Sequence, residues 1–118
     1  LLGKELVVYG DGEQTRDFVY ISDVVDALLK ALESDINFGI FNVGTGKEVS
    51  VNEIARLVKE LTKRDVSVIH EKERLGDIRH SCANIKAIKR ALKWTPKVKL
   101  KEGISRTIEW YRNQLESC

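Results

Sequence analysis

The chain has 118 residues, 42% hydrophobic and 32% charged, with 20 Lys/Arg against 18 Asp/Glu. That size fits one domain with a real core, and no apolar run approaches the roughly 20 residues that cross a bilayer. The two cysteines, Cys82 and Cys118, make no disulfide framework, so a reducing cytoplasm is the expected compartment.

The chain begins at Leu1 and contains no methionine, and is read as a piece of a longer protein. His80 and Cys82 form a lone H-x-C with His70 further back, without metal-ligand spacing.

In chain order, "ELVVY" is a β-prone run that ends at the turn "GDGEQ", and "DFVYI" reads as a second extended piece. "SDVVDALLKALES" reads as a helix with Asp23 and Asp26 in its first turn, where acids meet free N–H groups. Its apolar residues leave almost no polar face, which predicts a largely buried helix. "FGIFNVG" reads as a buried strand running into the turn "GTGKEV". Ser50 with Glu53 three residues on forms a capping box. It opens a helix striped by Val51, Ile54, Ala55, Val58 and Leu61.

"DVSVIHE" reads as a strand leading into a polar loop, "KERLGDIRHSCA". Asn84 is read as the cap of "IKAIKRALKW", and Pro96 keeps that helix from running on. A last helix, roughly 100–115, aligns Leu100, Ile104, Ile108, Tyr111 and Leu115. About four helices with several short strands make an α/β piece.

Charge is divided unevenly. Residues 1–77 carry ten Lys/Arg and fifteen Asp/Glu, whereas residues 78–118 carry ten and three. A basic block of this kind can mark a nucleic-acid surface. Here Lys86, Lys89, Arg90 and Lys93 fall at helical spacing opposite Ile85, Ile88 and Leu92, the solvated face of an amphipathic helix. No nucleic-acid or membrane partner is expected.

"FNVGTGKEVS" runs from strand through glycines to helix, as phosphate loops do. A Walker loop needs a glycine where Phe41 stands and Ser or Thr where Glu48 stands. The dinucleotide fingerprint needs a third glycine where Val49 stands. The turn is therefore read as a tight strand–helix connection. No Ser/His/Asp set, carboxylate pair or Cys/His nucleophile stands out.

The arginines are the candidates for chemistry. Arg16 follows the glycine turn among acids, and Arg74 and Arg79 lie in "ERLGDIR". An arginine fork suits phosphate because it donates two parallel hydrogen bonds and stays charged. Each is either paired with an acid of the chain or aimed at an external anion. Asp77, across a glycine from Arg74, suits a sugar diol.

Four segments in order carry a resemblance: "VYGDGEQTRDFVYISDVVDAL", "FNVGTGKEVSVNEIA", "RLGDIRHSCANIKAIKRALKW" and "LKEGISRTIEWY". The chain resembles the C-terminal, substrate-binding part of Rossmann-type extended short-chain dehydrogenase/reductases that act on nucleotide sugars, most closely the UDP-glucose 4-epimerases. The resemblance implies that Arg16 and Arg74 contact the diphosphate and Asp77 the nucleotide ribose. It places the Leu6–Tyr9 strand, through Val8 and Tyr9, beside the base. Asp23 is still read as a helix cap. Leu75 and Asn84 depart from residues common in the family, Asn84 where Asp is frequent, and a cap works with either.

The resemblance also implies NAD as cofactor, bound by an N-terminal domain outside this sequence. That domain would carry the Tyr-x-x-x-Lys catalytic set. No tyrosine here has lysine four residues on, so the chain alone is expected to be inactive, and residues 1–118 are expected to be the nucleotide-sugar-binding region. Alternatives are the same region of a 4,6-dehydratase or reductase, or a non-catalytic nucleotide-sugar-binding module. The full-length enzyme is expected to be a homodimer, and exposed apolar surface on this piece is expected to drive self-association.

Overall fold

The computed structural model describes residues 1–117, so Cys118 lies outside the described residues. Strand β1 (Leu6–Tyr9) pairs in parallel with β4 (Val68–Glu71), Leu6 opposite Val68 and Tyr9 opposite Glu71. Parallel pairing needs a crossover, here the 58 intervening residues (10–67) with two helices, α1 (Ile21–Leu32) and α2 (Val51–Thr62). A second, minimal ladder joins β2 (Thr15–Arg16) to β3 (Val49–Ser50), antiparallel. Thr15 also bridges to His80. Helices α3 (Lys86–Leu92) and α4 (Leu100–Glu116) complete an α/β piece that has, among the described residues, four helices and four short strands, as expected.

The capping box forms: Ser50 Oγ accepts from the Glu53 amide at 3.1 Å, satisfying one free donor of the first turn. The α2 stripe is half-buried, against β1 and the start of α4. There Lys101 donates to Glu60 at 2.6 Å.

The core centres on Trp94, fully buried, with Ile88, Leu92, Ile85 and Ala27, and with Phe41, Val43 and Ala83 packed against them. Burying each large apolar side chain is worth roughly 1.5–3 kcal/mol. Lys93 in the left-handed conformation (φ 52°) ends α3, so the helix stops before Pro96 is reached. The indole N–H of Trp94 then donates to the Asp23 carbonyl at 3.1 Å. Asn84 Oδ1 accepts from the Lys86 amide at 3.1 Å, one residue ahead of the cap position at Ile85. The basic residues of α3 face solvent opposite Ile85, Ile88 and Leu92, as the spacing predicts.

Four expectations are corrected. "DFVYI" is not a strand: the ladder stops at Arg16, and the Tyr20 carbonyl accepts from the Asp23 amide at 3.0 Å to open α1. Asp23 is not a cap. Tyr20 holds the cap position, and the buried Asp23 carboxylate accepts from the Lys97 and Val98 amides at 3.1 and 3.0 Å. It thereby ties α1 to the chain between α3 and α4.

Nor is α1 largely buried, since only Asp23 and Ala27 are, while Leu32 is 82% exposed. An apolar helix buries only the stripe that meets a neighbour, here α3. Finally, "FGIFNVG" forms no strand, and Phe38 and Ile40 lie 83% and 84% exposed. Phe41 and Val43 reach the core, but no described strand runs beside this backbone to pair with it. On α4, similarly, Tyr111 and Leu115 remain half exposed, because a helix of 17 residues outruns the 12-residue α2.

Candidate functional site

The glycine turn after β1 is built from below by α2. Gly12 has φ +76°, and a Cβ there would lie 2.0 Å from Asn52 Oδ1. Asn52 uses that proximity: its amide donates to Gly12 O at 3.0 Å and its side chain to Asp11 O at 2.9 Å. Glycine is required because both the conformation and the space exclude a side chain.

The residues after β4 run back across this turn. The Gly10 amide donates to Glu71 O, and the Thr15 amide to Arg79 O, both at 2.9 Å. Residues 71–80 between these ties are exposed. Their one internal turn is Asp77 N–H to Arg74 O at 3.1 Å, with Gly76 at φ +81°.

Onto this frame fall the arginines. Arg16 Nη1 donates to Thr15 O at 2.7 Å and Ile78 O at 2.5 Å, and Nη2 donates to Asp77 Oδ1. Its acidic partner is therefore Asp77, 61 residues away, and not its neighbour Asp17. Arg74 lies over the Tyr9 ring, 3.8 Å from the centroid, a favourable cation–π distance. Arg79 grips Asp11 with both nitrogens, at 2.7 and 2.8 Å. The Arg79 hydrogen bonds, then the Glu13 amide, pull the Asp11 carboxyl down to about 2.

Arg16, Asp77, Arg74 and Tyr9 thus gather at the C-terminal end of β1, although the sequence separates them by up to 68 positions. Val8 is buried, so its side chain belongs to the core. A cavity of about 140 Å³ opens beside Tyr9 and Asp77, lined also by Gly10, Asp11, Gln14 and Arg79 but by neither Arg16 nor Arg74. Gln14, itself buried, donates to Tyr9 O at 2.8 Å and stiffens its wall. The C-terminal ends of parallel strands are where α/β folds receive ligands.

Sequence reasoning missed Asp17. Its carboxylate accepts from the Thr45 amide (2.7 Å) and hydroxyl (2.5 Å), the Gly46 amide (2.8 Å) and the Ala83 amide (3.2 Å). Burial pushes this carboxyl up, and the four bonds outweigh it, so Asp17 stays below the usual carboxylate range. The glycine turn that resembles a phosphate loop is thus occupied by an anion of the chain itself. Gly44 permits this, for a Cβ there would lie 2.6 Å from Asp17 Oδ2. An acid beside an arginine, facing a glycine-rich run of free amides, was the available signal.

His80 Nδ1 sits 3.0 Å from Thr15 Oγ1, which donates to Glu48 at 3.1 Å. Among the described residues no three metal-ligating groups converge. Cys82 is exposed, and its thiol is pushed up by partial desolvation and by the Asp17 and Glu48 charges, which disfavours the nucleophilic thiolate. No described helix is long and apolar enough to cross a membrane.

Residues 1–107 match the family model described as GDP-mannose 4,6 dehydratase. A Xenopus tropicalis UDP-glucuronic acid decarboxylase 1 is 37% identical over 116 residues, 98% of this chain and 27% of that protein. The Thermotoga maritima UDP-glucose 4-epimerase, solved with UDP-glucose, is 42% identical with a TM-score of 0.91 over 96% of this chain and 36% of that one. The protein MoeE5, solved with UDP-glucuronic acid and NAD, is 36% identical with a TM-score of 0.88, covering 93% and 37%. The chain spans about a third of the length of the curated relatives it matches. By these matches the chain belongs to the GDP-mannose 4,6 dehydratase family, the NAD-dependent nucleotide-sugar epimerases and dehydratases of the extended short-chain dehydrogenase/reductase group.

Proposed function

We propose that this chain is the C-terminal, nucleotide-sugar-binding region of an NAD-dependent epimerase of the UDP-glucose 4-epimerase type. Arg16 and Arg74 bind the diphosphate, Asp77 takes the ribose diol, and the strand ending at Val8 and Tyr9 borders the base. The observation that carries this reading is the convergence of Arg16, Asp77 and Arg74 on the end of β1.

The chemistry of each contact supports it. Arg16 spends three of its five N–H groups within the chain, which leaves donors for an anion. Asp77 is bonded through Oδ1 alone, and its second oxygen is an acceptor suited to a hydroxyl. Arg74, held over Tyr9 rather than by an acid, keeps its charge available to phosphate. Fixing the nucleotide at three points orients the sugar at its far end and converts binding into alignment.

The residues of this chain do not fit NAD itself. The glycine turn 44–46 is the segment closest to a phosphate cradle, and Asp17 already takes its amides. NAD and the catalytic tyrosine and lysine belong to the part of the protein outside these residues, and the chain alone is inactive. The homodimer and the cytoplasmic location expected for the full-length enzyme are part of the same proposal.

A nucleotide-sugar decarboxylase, dehydratase or reductase would use the same clamp, and the decarboxylase relative matches almost the whole chain. The choice of reaction therefore rests on residues outside it.

Calorimetric titration of UDP-glucose into the chain tests the clamp. Weak binding is expected, reduced about ten-fold or more by Arg16→Ala and by Arg74→Ala, since a charge-assisted hydrogen bond is worth about 1.5–3 kcal/mol. Binding that survives both substitutions overturns the clamp. Absence of binding by the unmodified chain leaves the family membership intact and overturns autonomous nucleotide binding.

A further inference from the structure

The segment 72–80 has no regular structure of its own except a bridge at His80, yet it brings Arg74 and Asp77 to the end of β1. Three arginine ties to a facing side chain hold it there, Arg74 on Tyr9, Asp77 with Arg16, and Arg79 with Asp11, besides the Arg16 bond to Ile78 O and the His80 contact with Thr15. If the proposed function holds, the first two must rearrange or share their partners when a nucleotide arrives. The third involves neither a proposed ligand contact nor the strand that borders the base, and it is the one tie with two parallel hydrogen bonds. Bidentate geometry is what distinguishes a surface pair that orders a segment from one that contributes little.

Asp11 is also the better anchored partner. Its carboxylate accepts from the Glu13 amide at 2.9 Å and its carbonyl from Asn52 at 2.9 Å. Asn52 stands in the first turn of α2, next to the capping Ser50. A continuous line of contacts therefore runs from a capped helix through the Gly12 turn to Asp11, then to Arg79 and the segment that bears Asp77. Both Asp11 and Arg79 line the cavity wall beside Asp77.

We propose that Asp11 and Arg79 are positioning residues. Their bidentate pair clasps the 72–78 segment to the glycine turn and so sets where Arg74 and Asp77 stand, without touching the ligand. This rests on the nucleotide-binding reading above.

The test measures amide hydrogen exchange and UDP affinity for the unmodified chain, Asp11→Asn, Arg79→Gln and the double variant. Asp11→Asn keeps an oxygen for the Glu13 amide and removes the charge. Each single variant is expected to speed exchange of the Asp77 amide and of the Thr15 amide, which donates to Arg79 O, by about three- to five-fold, with α2 unchanged as the control for folding, and to weaken UDP by a similar factor. The double variant should do no more than either single one, because both remove the same pair.

Additive effects, or Asp77 and Thr15 amide exchange that stays at the unmodified rate, overturn the clasp. Faster exchange with unaltered UDP affinity overturns the positioning role. An unmodified chain that binds no UDP overturns autonomous nucleotide binding and with it the positioning role in this chain, while the exchange rates still decide whether the pair holds the segment.

Discussion

Two neighbouring residues, Arg16 and Asp17, head two differently built regions. Asp17 faces the 44–46 turn, where its carboxylate is saturated by three backbone amides and a hydroxyl. Arg16 faces the 72–80 segment, where the Asp77 carboxylate and the Ile78 carbonyl hold it and part of its hydrogen-bonding capacity is spare. Both regions pair a charge with a glycine turn. One closes on an internal partner and becomes architecture, and the other keeps capacity for an external one. A glycine-rich turn is thus informative about binding only once the anion it serves is known.

The largest expected effect breaks the closed side. Asp17→Ala strands the Thr45, Gly46 and Ala83 amides and should cost about 2–4 kcal/mol, read as a lowered denaturation midpoint with unchanged slope. A loss under about 1 kcal/mol would show that water replaces the carboxylate and that the two regions are alike. Gly44→Ala presses a methyl against Asp17 Oδ2 and the Ala83 side chain at 2.6 Å. It should cost about 1–3 kcal/mol by forcing them apart, in the same unfolding assay.

The open side should respond differently: Arg16→Ala is expected to cost about 1 kcal/mol or less in stability while removing UDP-glucose binding in calorimetry.

The smallest effect is a titration. The Asp11 carboxyl lies near 2 when folded, below its unfolded value. Its pairing with Arg79 is therefore fully present above the unfolded value and is lost as pH falls through about 2. Carbon-13 titration of Asp11 should show this, and Arg79→Gln should return the midpoint toward the ordinary carboxylate range.

Much of this was legible in the residues. The Ser50–Glu53 signature marked the start of α2, and alternation marked β4, because caps and periodicity act between near neighbours. The ordered motifs pointed to the family. What failed did so for one reason. "FGIFNVG" has strand composition, but a strand exists only where another runs beside it, and no described residues do so here. The α1 helix is apolar on nearly every side, yet a residue is buried only where something packs on it. Asp23 sits where first-turn acids cap helices, but the amides of Lys97 and Val98, more than 70 residues on, compete for its carboxylate.

The sequence by itself determined the α/β class, the helices with clear stripes and caps, the candidate arginines and the family. Only the tertiary structure decided that Arg16 meets Asp77, that Asp17 fills the glycine turn, and that Trp94 organises the core through a bond to Asp23. These are choices among partners 28 to 71 positions apart. Local propensity ranks conformations of a few residues, whereas hydrogen-bond satisfaction ranks arrangements of the whole chain.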